Sequence, residues 1–435
     1  MNGEHKLEKK KFLFVSWISL SGDLAWRIQR EGHEVKAYID NKLEREDVYT
    51  GILEKVDDWK KWVDWADIIV FDDIGFGRHA EQLRKKGKKV IGGSVYTDRL
   101  EHNREFGQEE MARVGMQVLP HWYFSNFESA IAFLEKNPGR YVFKPSGKAQ
   151  DNKGWLFIGE EEDGADILEL LKTNQGIWKG KIKTFQLQKY ATGVEIAVGA
   201  FFNGKKFLNP INVNFEHKRI FPGDIGPLTG DMGALMFWSQ PNGMFKTTLA
   251  KIENELAKSG YIGYFDINCI ANGRGIYPLE FTCRFGYPTM AVQTEGIDMP
   301  LSEFFWKLSE GEDFEFPTKK GFQIGVCCMV ESFLSGHSQD IATYHDLSIL
   351  FKRPNPDLEG IYIGDLKMVE GTLRIAGESG YALVVTGTGS TVEDARKQAY
   401  HRIRNIRLQN MFYRVDIGEK WLYDSDLLQT WGYLK

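Results

Sequence analysis

The chain has 435 residues, 42% of them hydrophobic and 26% charged, with a formal net charge of -5. That is about three times a typical domain length, enough for several domains with cores of their own. The charge balance argues against a nucleic-acid coat or a binder of anionic membranes. The four cysteines, Cys269, Cys283, Cys327 and Cys328, form no CxxC pair. A zinc site or disulfide framework is therefore not expected, and a reducing compartment is. No apolar run approaches the roughly 18 residues of a membrane span, and the charged start MNGEHKLEKKKF lacks a signal-peptide apolar region. Cytoplasm is the expected location.

In chain order, KFLFVSWI (11–18) predicts a strand, SLSGD a turn, LAWRIQREG a helix stopped by glycine, and HEVKAYID the next strand. ADIIVFDD is another apolar strand, ending in acids, and RHAEQLRKKGKKVIGG reads as helix, glycine, strand. This alternation predicts an α/β domain with a parallel sheet over residues 1–118. From 119 the pattern changes. FESAIAFLEKN is helical, YVFKPSG is a strand ending in lysine, proline and glycine, and WLFIGEE is a second strand. FQLQKYATGVEIAVGAFFNGKKF continues as strands joined by glycine turns, predicting an antiparallel sheet able to cover a ligand. FKTTLAKIENELAKSG is a helix, and IGYFDINCIANGRGIYPLEFTCRFG a hairpin turning at ANGRG. The second domain is expected over 119–317 and a third, again α/β, over 318–435. The third ends as strand, glycine turn, Ser/Thr cap and helix in GYALVVTGTGSTVEDARKQAYHRIRNI.

Three clusters carry candidate chemistry. In KPSGKAQDNKGW (144–155), Lys144 ends an apolar strand, and Lys148 and Lys153 share a loop with Gly147 and Gly154. Glycines let backbone N–H groups approach an anion and lysines neutralise it, which suits a triphosphate cover; a solvated turn is the plainer alternative. In the glycine-rich stretch 214–234, His217, Lys218 and Arg219 are consecutive, so a strand would send them to alternate faces. The basic trio suggests anion contact, the alternative being an exposed flap. Asp266 and Glu280 fall on neighbouring strands of the hairpin and could converge on one cation. Magnesium takes one or two carboxylates plus substrate phosphates. Arg284 follows four residues later, with a fork that suits a carboxylate or phosphate. A salt-bridged pair on a sheet surface is the competing explanation. No Ser–His–Asp or Cys–His arrangement stands out, and the set suits phosphoryl transfer, which relies on positioning and charge neutralisation.

These motifs, in this order, resemble the glycinamide ribonucleotide synthetase (phosphoribosylamine–glycine ligase) family. EHKRIFPGDIGPLTGDMGA resembles its DHKR…GDxGPNTGGMGA loop, and LEFTCRFGYP its LEFNxRFGDP. GYALVVTGTGSTVEDARKQAYHRIRNI…MFYRVDIG is similar to its C-terminal pattern. The resemblance implies an N-terminal α/β domain, a central ATP-grasp and a C-terminal α/β domain. It implies ATP and Mg²⁺ (or Mn²⁺) as cofactors, with small-molecule carboxylate and amine substrates. Neither membrane nor nucleic acid is an expected partner, and a monomer or small homo-oligomer is the expected state. By the same resemblance Lys144 would hold ATP phosphates, with Arg104 where the family has a second ATP-binding lysine and Lys153 in the covering loop. Gln188, Lys189 and Tyr190 would line the adenine, Glu195 the ribose. Glu280 would hold magnesium and Arg284 would face the carboxylate or acyl phosphate, with Lys218 and Arg219 beside it.

The departures are specific. Thr282 replaces the family's magnesium asparagine, for which Asp266 could compensate. RFGDPE reads RFGYPT, with Tyr287 and Thr289 in place of acids, and GPNTGG reads GPLTGD, with Leu228 and Asp231. In the N-terminal domain the glycine-rich turn is SLSGD (19–23), and the GPE motif gives way near FDDIGFG (71–77). Those segments grip phosphoribosylamine in the family. Asp72 and Asp73 would repel a phosphate and attract a cationic amine, unless they form a solvated strand end. Three functions follow: a ligase forming glycinamide ribonucleotide through an acyl phosphate, with the 144–155 and 214–234 loops closing over it; a ligase of the same chemistry joining another carboxylate or amine, such as an amino acid to a modified nucleotide or sugar amine; or a non-catalytic nucleotide-binding protein.

Overall fold

The computed structural model describes residues 7–330, 344–355 and 357–435, apart from the side chains of Lys148, Asp151 and Lys153. Near the N-terminus β1 (Lys11–Ser16), β2 (Glu34–Ile39), β3 (Glu54–Lys55), β4 (Ile68–Phe71) and β5 (Lys89–Ile91) form a parallel sheet in the order β3-β2-β1-β4-β5. Side chains alternate across β1: Phe12 and Phe14 join the large central core, while Leu13 and Val15 join a second cluster with Ile69 and Val90. Strand order reverses between β1 and β4, so the loops leaving their C-terminal ends flank a crevice, the usual ligand position in such sheets. Those loops are the SLSGD and FDDIGFG segments.

A four-stranded antiparallel sheet follows, formed by β6 (His121–Phe124), β7 (Tyr141–Pro145), β8 (Phe157–Ile158) and β9 (Phe185–Lys189) in the order β6-β9-β7-β8. Helices Phe127–Lys136 and Ala165–Trp178 back it around Phe127, Tyr141, Phe143, Ile167, Phe185 and Leu187. This is the covering sheet expected from the sequence, although WLFIGEE supplies only the two residues of β8.

The remainder is organised by one large sheet. Its strands are β10 (Val194–Phe202), β11 (Ile211–Glu216), β14 (Gly233–Ser239), β15 (Gly263–Asn272), β16 (Gly275–Thr282), β17 (Phe322–Met329), β19 (Ile361–Ile363) and β22 (Tyr381–Gly389). They run antiparallel in the order β16-β15-β10-β11-β14-β17-β22-β19. The sheet passes through residue 318 without a break, so the central and C-terminal segments share one core. Between β11 and β14 the chain makes a small hairpin, β12 (Arg219–Phe221) and β13 (Ile225–Leu228). The hairpin β15/β16 turns at Asn272–Gly275, as ANGRG predicts. Thr391 caps the helix Val392–Asn405 by accepting from the Asp394 amide at 3.1 Å. The helix expected over 245–260 is instead two, Gly243–Thr247 and Leu249–Ser259. Thr248 breaks it, its hydroxyl donating back to the Met244 carbonyl at 2.6 Å.

Candidate active site

Two cavities meet at the end of β16. The first, about 400 Å³, lies between the covering sheet and the large sheet; Lys144, Gln188, Glu195, Lys218, Asn268 and Lys420 are among its walls. The second, also about 400 Å³, opens toward the N-terminal crevice and is lined by Trp17, Asp73, Glu101, Gln108 and others. Arg104, Glu280, Thr282 and Arg284 belong to both. Residues far apart in sequence therefore share one junction.

On the covering sheet, β7 and β9 pair so that Val142 lies opposite Gln188 and Lys144 opposite Gln186. Lys144 is buried and donates to Gln188 Oε1 at 2.7 Å. Burial, with Arg104 nearby, pulls the Lys144 ammonium down to about 7. Tyr190 is covered by the Arg140 guanidinium at 3.6 Å, and Lys189 lies over Tyr141 at 4.0 Å. Gln188, Lys189 and Tyr190 all line the first cavity. The side chains of Lys148 and Lys153 fall outside the described residues; their backbone forms two short 3₁₀ turns, Gly147–Asp151 and Lys153–Trp155.

On the large sheet the basic trio divides. Lys218 faces the cavity and pairs with Glu195 at 3.0 Å and Glu216 at 3.2 Å. Burial alone would lower the Lys218 ammonium, but the two carboxylates outweigh it and hold it well above its ordinary value. Lys218 and then Lys420 keep Glu195 low in turn, against its own burial. His217 points the other way, 1% exposed, and accepts from the Gly418 amide at 3.4 Å. Burial and the cations Lys420 and Arg414 press it down to about 3, so it is neutral and carries no anion-binding charge. Arg219 lines the cavity while donating to the Gly226 carbonyl at 2.6 Å across its own hairpin.

The register of β15 and β16 differs from the expected convergence of Asp266 and Glu280. Asn268 is the residue opposite Glu280, and Asp266 lies opposite Thr282, one step deeper. Asp266 is buried, does not line either cavity, and accepts from Asn214 at 3.4 Å and Tyr264 at 3.2 Å. Burial, with Glu216 nearby, raises its carboxyl to about 7. Glu280 instead meets Arg104 at 3.4 Å. Asn268 lines the cavity and donates to Glu216 at 3.3 Å. Period-two alternation from Asp266 places Asn268 on the same face, so it was discoverable from the sequence. Among the described residues no group of three or more His, Cys, Asp or Glu is arranged to hold a metal alone. The sparse oxygen set of Glu280, Thr282 and Asn268 fits magnesium, which completes its shell with water and phosphate oxygens.

Within the stretch 214–234 the small hairpin is fastened along β12 and at its turn. Arg414, 1% exposed, donates to the Arg219 carbonyl at 2.7 Å, to Asp224 at 2.9 Å, and to Asp416 at 2.8 and 2.6 Å. Asp416 also accepts from the Gly223 amide at 2.8 Å, and Lys420 pairs with Asp224 at 3.1 Å. The C-terminal segment therefore ties the hairpin down through its turn, while the side chains of Phe221 and Ile225 are exposed. Nearby, Asp231 is buried with burial and Glu216 raising its carboxyl, and it accepts from the His217 and Gly233 amides.

The N-terminal wall differs in character. Arg284 Nε lies 3.1 Å from Glu101 and 3.2 Å from Asp73. Burial would lower the guanidinium, but these two acids more than offset it and raise it. Glu101 also accepts from the Cys283 amide at 2.7 Å, while burial raises its carboxyl and Arg284 opposes that shift. Asp73 thus faces an arginine of this chain. Asp72 is not a solvated strand end: it is 1% exposed, accepts from the Ser21 amide at 3.1 Å and from the Ser16 hydroxyl, and burial plus Asp73 raise it to about 7. Trp17, stacked on Phe76 at 4.1 Å, completes the wall.

The phosphoribosylglycinamide synthetase ATP-grasp (A) domain matches residues 102–290, and the C domain of the same synthetase matches 349–420. Together they take in more than half of the chain. A phosphoribosylamine–glycine ligase from Clostridium acetobutylicum is 25% identical over 352 residues, 78% of this chain and 80% of the relative. One from Streptococcus pneumoniae is 26% identical over 370 residues, 82% of this chain and 84% of the relative. Among solved structures, phosphoribosylamine–glycine ligase from Thermotoga maritima superposes with a TM-score of 0.70 at 21% identity, covering 94% of this chain and all 100% of its own. Biotin carboxylase from Campylobacter jejuni shares the fold, with a TM-score of 0.65 at 12% identity and 98% of each chain covered. The mixed α/β architecture is thus common to both. The chain belongs to the phosphoribosylglycinamide synthetase family.

Proposed function

We propose that this protein is an ATP-dependent carboxylate–amine ligase of the phosphoribosylamine–glycine ligase type, a purine-biosynthetic enzyme that works through an acyl phosphate. The observation that carries the proposal is the junction of two cavities at Arg104, Glu280, Thr282 and Arg284. A nucleotide in the first cavity and a small carboxylate in the second would bring their reacting atoms together there. Gln188, Lys189 and Tyr190 would line the adenine and Glu195 the ribose. Lys144, Arg104 and the Lys153 loop would take the phosphates. Lys218, already neutralised by Glu195 and Glu216, would brace the Glu195 carboxylate at the ribose rather than carry substrate charge, and Arg219 would border the phosphates. Glu280, with Thr282 and Asn268, would hold Mg²⁺ (or Mn²⁺), which when bound neutralises phosphate oxygens; Asp266 would support Thr282 from behind.

In the first step a carboxylate oxygen of glycine attacks the γ-phosphorus of ATP. The bond to the β–γ bridging oxygen breaks and ADP leaves. Arg284 orients the carboxylate, and Lys144 and Arg104 meet the charge that builds on the phosphoryl oxygens. The amine nitrogen of 5-phosphoribosylamine then attacks the acyl carbon, the phosphate departs, and the amine gives up a proton. The covering sheet and its turn at 147–155 keep water from the acyl phosphate. A positional-isotope experiment tests this route. Glycine labelled with ¹⁸O in its carboxylate should pass one labelled oxygen to each inorganic phosphate released. Unlabelled phosphate would rule the acyl phosphate out. A second reading, the same chemistry with a different amine, draws support from one observation: the N-terminal wall carries acids where a sugar phosphate would need cations.

A further inference from the structure

We propose that Asp73 and Glu101 form a subsite for the alkylammonium group of a substrate, beside the junction where the carboxylate is activated. The inference rests on the ligase reading above and adds what recognises the nitrogen. Both carboxylates lie within 3.2 Å of the same Arg284 Nε, so two negative charges share one guanidinium. The next guanidinium, Arg104, is matched by Glu280. The second cavity therefore presents three carboxylates and two guanidiniums, an excess of negative charge in a partly desolvated space. Glu101 also sits in the last turn of the helix Val95–His102, where the negative end of the helix dipole disfavours an acid and favours a cation beside it.

Two further features point to a ligand with donors and a carboxylate. Gln108 lines the cavity and is 1% exposed; its Nε2 donates to the Leu279 carbonyl, while its Oε1 has no partner. An orphaned buried acceptor is costly unless a donor arrives. Arg104, whose side chain is 9% exposed, has an Nε with no partner, and it lines the same cavity. A zwitterion satisfies both ends: its carboxylate meets the guanidiniums at the junction, and its ammonium meets Asp73 and Glu101. Trp17 adds an aromatic wall compatible with a cation. The ammonium belongs either to the amino acid being activated or to the acceptor amine, and one experiment separates the two.

The test is steady-state ADP formation by the full-length protein at saturating Mg²⁺ and ATP, with glycine and phosphoribosylamine varied in turn, for wild type, Asp73→Asn, Asp73→Glu and Glu101→Gln. Asp73→Asn and Glu101→Gln should raise KM for one of the two substrates about tenfold, the loss of one charge-assisted contact, while KM for ATP stays within about twofold. Asp73→Glu should recover most of it. A rise confined to glycine assigns the ammonium to the amino acid, and a rise confined to phosphoribosylamine assigns it to the acceptor. A salt bridge with only a structural role would lower the melting temperature and move all three constants alike, which overturns the proposal, as do unchanged constants. If wild type does not turn over glycine with phosphoribosylamine, the ligase reading fails separately. Calorimetric titration with methylammonium chloride then decides the subsite: binding by wild type weakened about tenfold in Asp73→Asn supports it, and no binding by wild type overturns it.

Discussion

The two cavities that meet at β16 are built on opposite charge plans. The first is lined by seven lysines and arginines against five acids, the second by two arginines against three acids. The first suits a polyphosphate, since each cation not already paired can turn to the ligand. The second spends its guanidiniums on its own carboxylates. Within one chain, the cavity proposed for ATP keeps a surplus of positive charge and the cavity proposed for the other substrates does not. In a ligase of this type that difference falls at the boundary between the activation chemistry and the choice of substrate.

The most severe way to break the comparison is at a residue that both cavities share. Glu280→Gln should reduce turnover by about 10²–10³-fold or more, with an unchanged circular dichroism spectrum. Full activity in that variant would remove Glu280 from the site. Lys144→Met acts on the first cavity alone. It should cut kcat/KM for ATP by about 10²-fold and leave KM for glycine nearly unchanged. The position of Lys144 near 7 adds a sign that can be checked. At pH 8 the free protein holds this amine mostly neutral, and polyphosphate would draw a proton onto it. ATP binding should therefore take up as much as about one proton, read as a dependence of the calorimetric enthalpy on buffer ionisation. Proton release would contradict the placement of Lys144 beside the phosphates.

Arg414→Met acts outside both cavities. It leaves Asp416 and Asp224 without their buried partner, and breaking such a pair costs about 3 kcal/mol, measurable by urea unfolding. Turnover should suffer only through the loosened hairpin, by less than about tenfold. The smallest effect is expected behind the N-terminal wall. Burial raises Asp72 to about 7, above its unfolded value, so the folded protein holds that proton more tightly. The stability this contributes is full below the unfolded value near 4 and is lost as pH rises through 7. Asp72→Asn should flatten the melting-temperature profile between pH 4 and 7 relative to wild type; an unchanged slope would mean that Asp72 titrates normally.

Much of this was legible in the sequence where local pattern carries information. Unbroken apolar runs mark β1 and β4, ANGRG marks the β15/β16 hairpin, and Lys144 and Glu280 announce themselves as charged residues at or near the ends of apolar strands. The loop order identifies the family. What pattern could not reveal are contacts between distant segments. Glu101 reaches Arg284 across 183 positions, and Arg414 reaches the Arg219 carbonyl across 195. Neither pairing leaves a periodic trace, so Arg284 reads as free for substrate and 214–234 reads as a glycine-rich loop with a basic trio for anion contact. The exchange of Asp266 for Asn268 opposite Glu280 has a smaller cause. Alternation puts Asp266 and Asn268 on one face, but the register, shifted by a bulge between Asn268 and Cys269, decides which of them stands opposite Glu280, and alternation does not give the register. The basic trio departs from simple alternation, because β11 ends at Glu216 and β12 begins at Arg219, so Lys218 and Arg219 both line the first cavity while His217 is buried elsewhere.

The central claim is that ATP is spent only when both a carboxylate and an amine are present. The direct measurement is inorganic phosphate release from ATP and Mg²⁺ by the full-length protein, with glycine and freshly generated phosphoribosylamine each supplied or withheld. Release that requires both substrates is the result expected of a ligase whose acyl phosphate is shielded until the amine arrives. Equal release with both withheld would contradict it, since the two cavities would then not be coupled at Glu280 and Arg284.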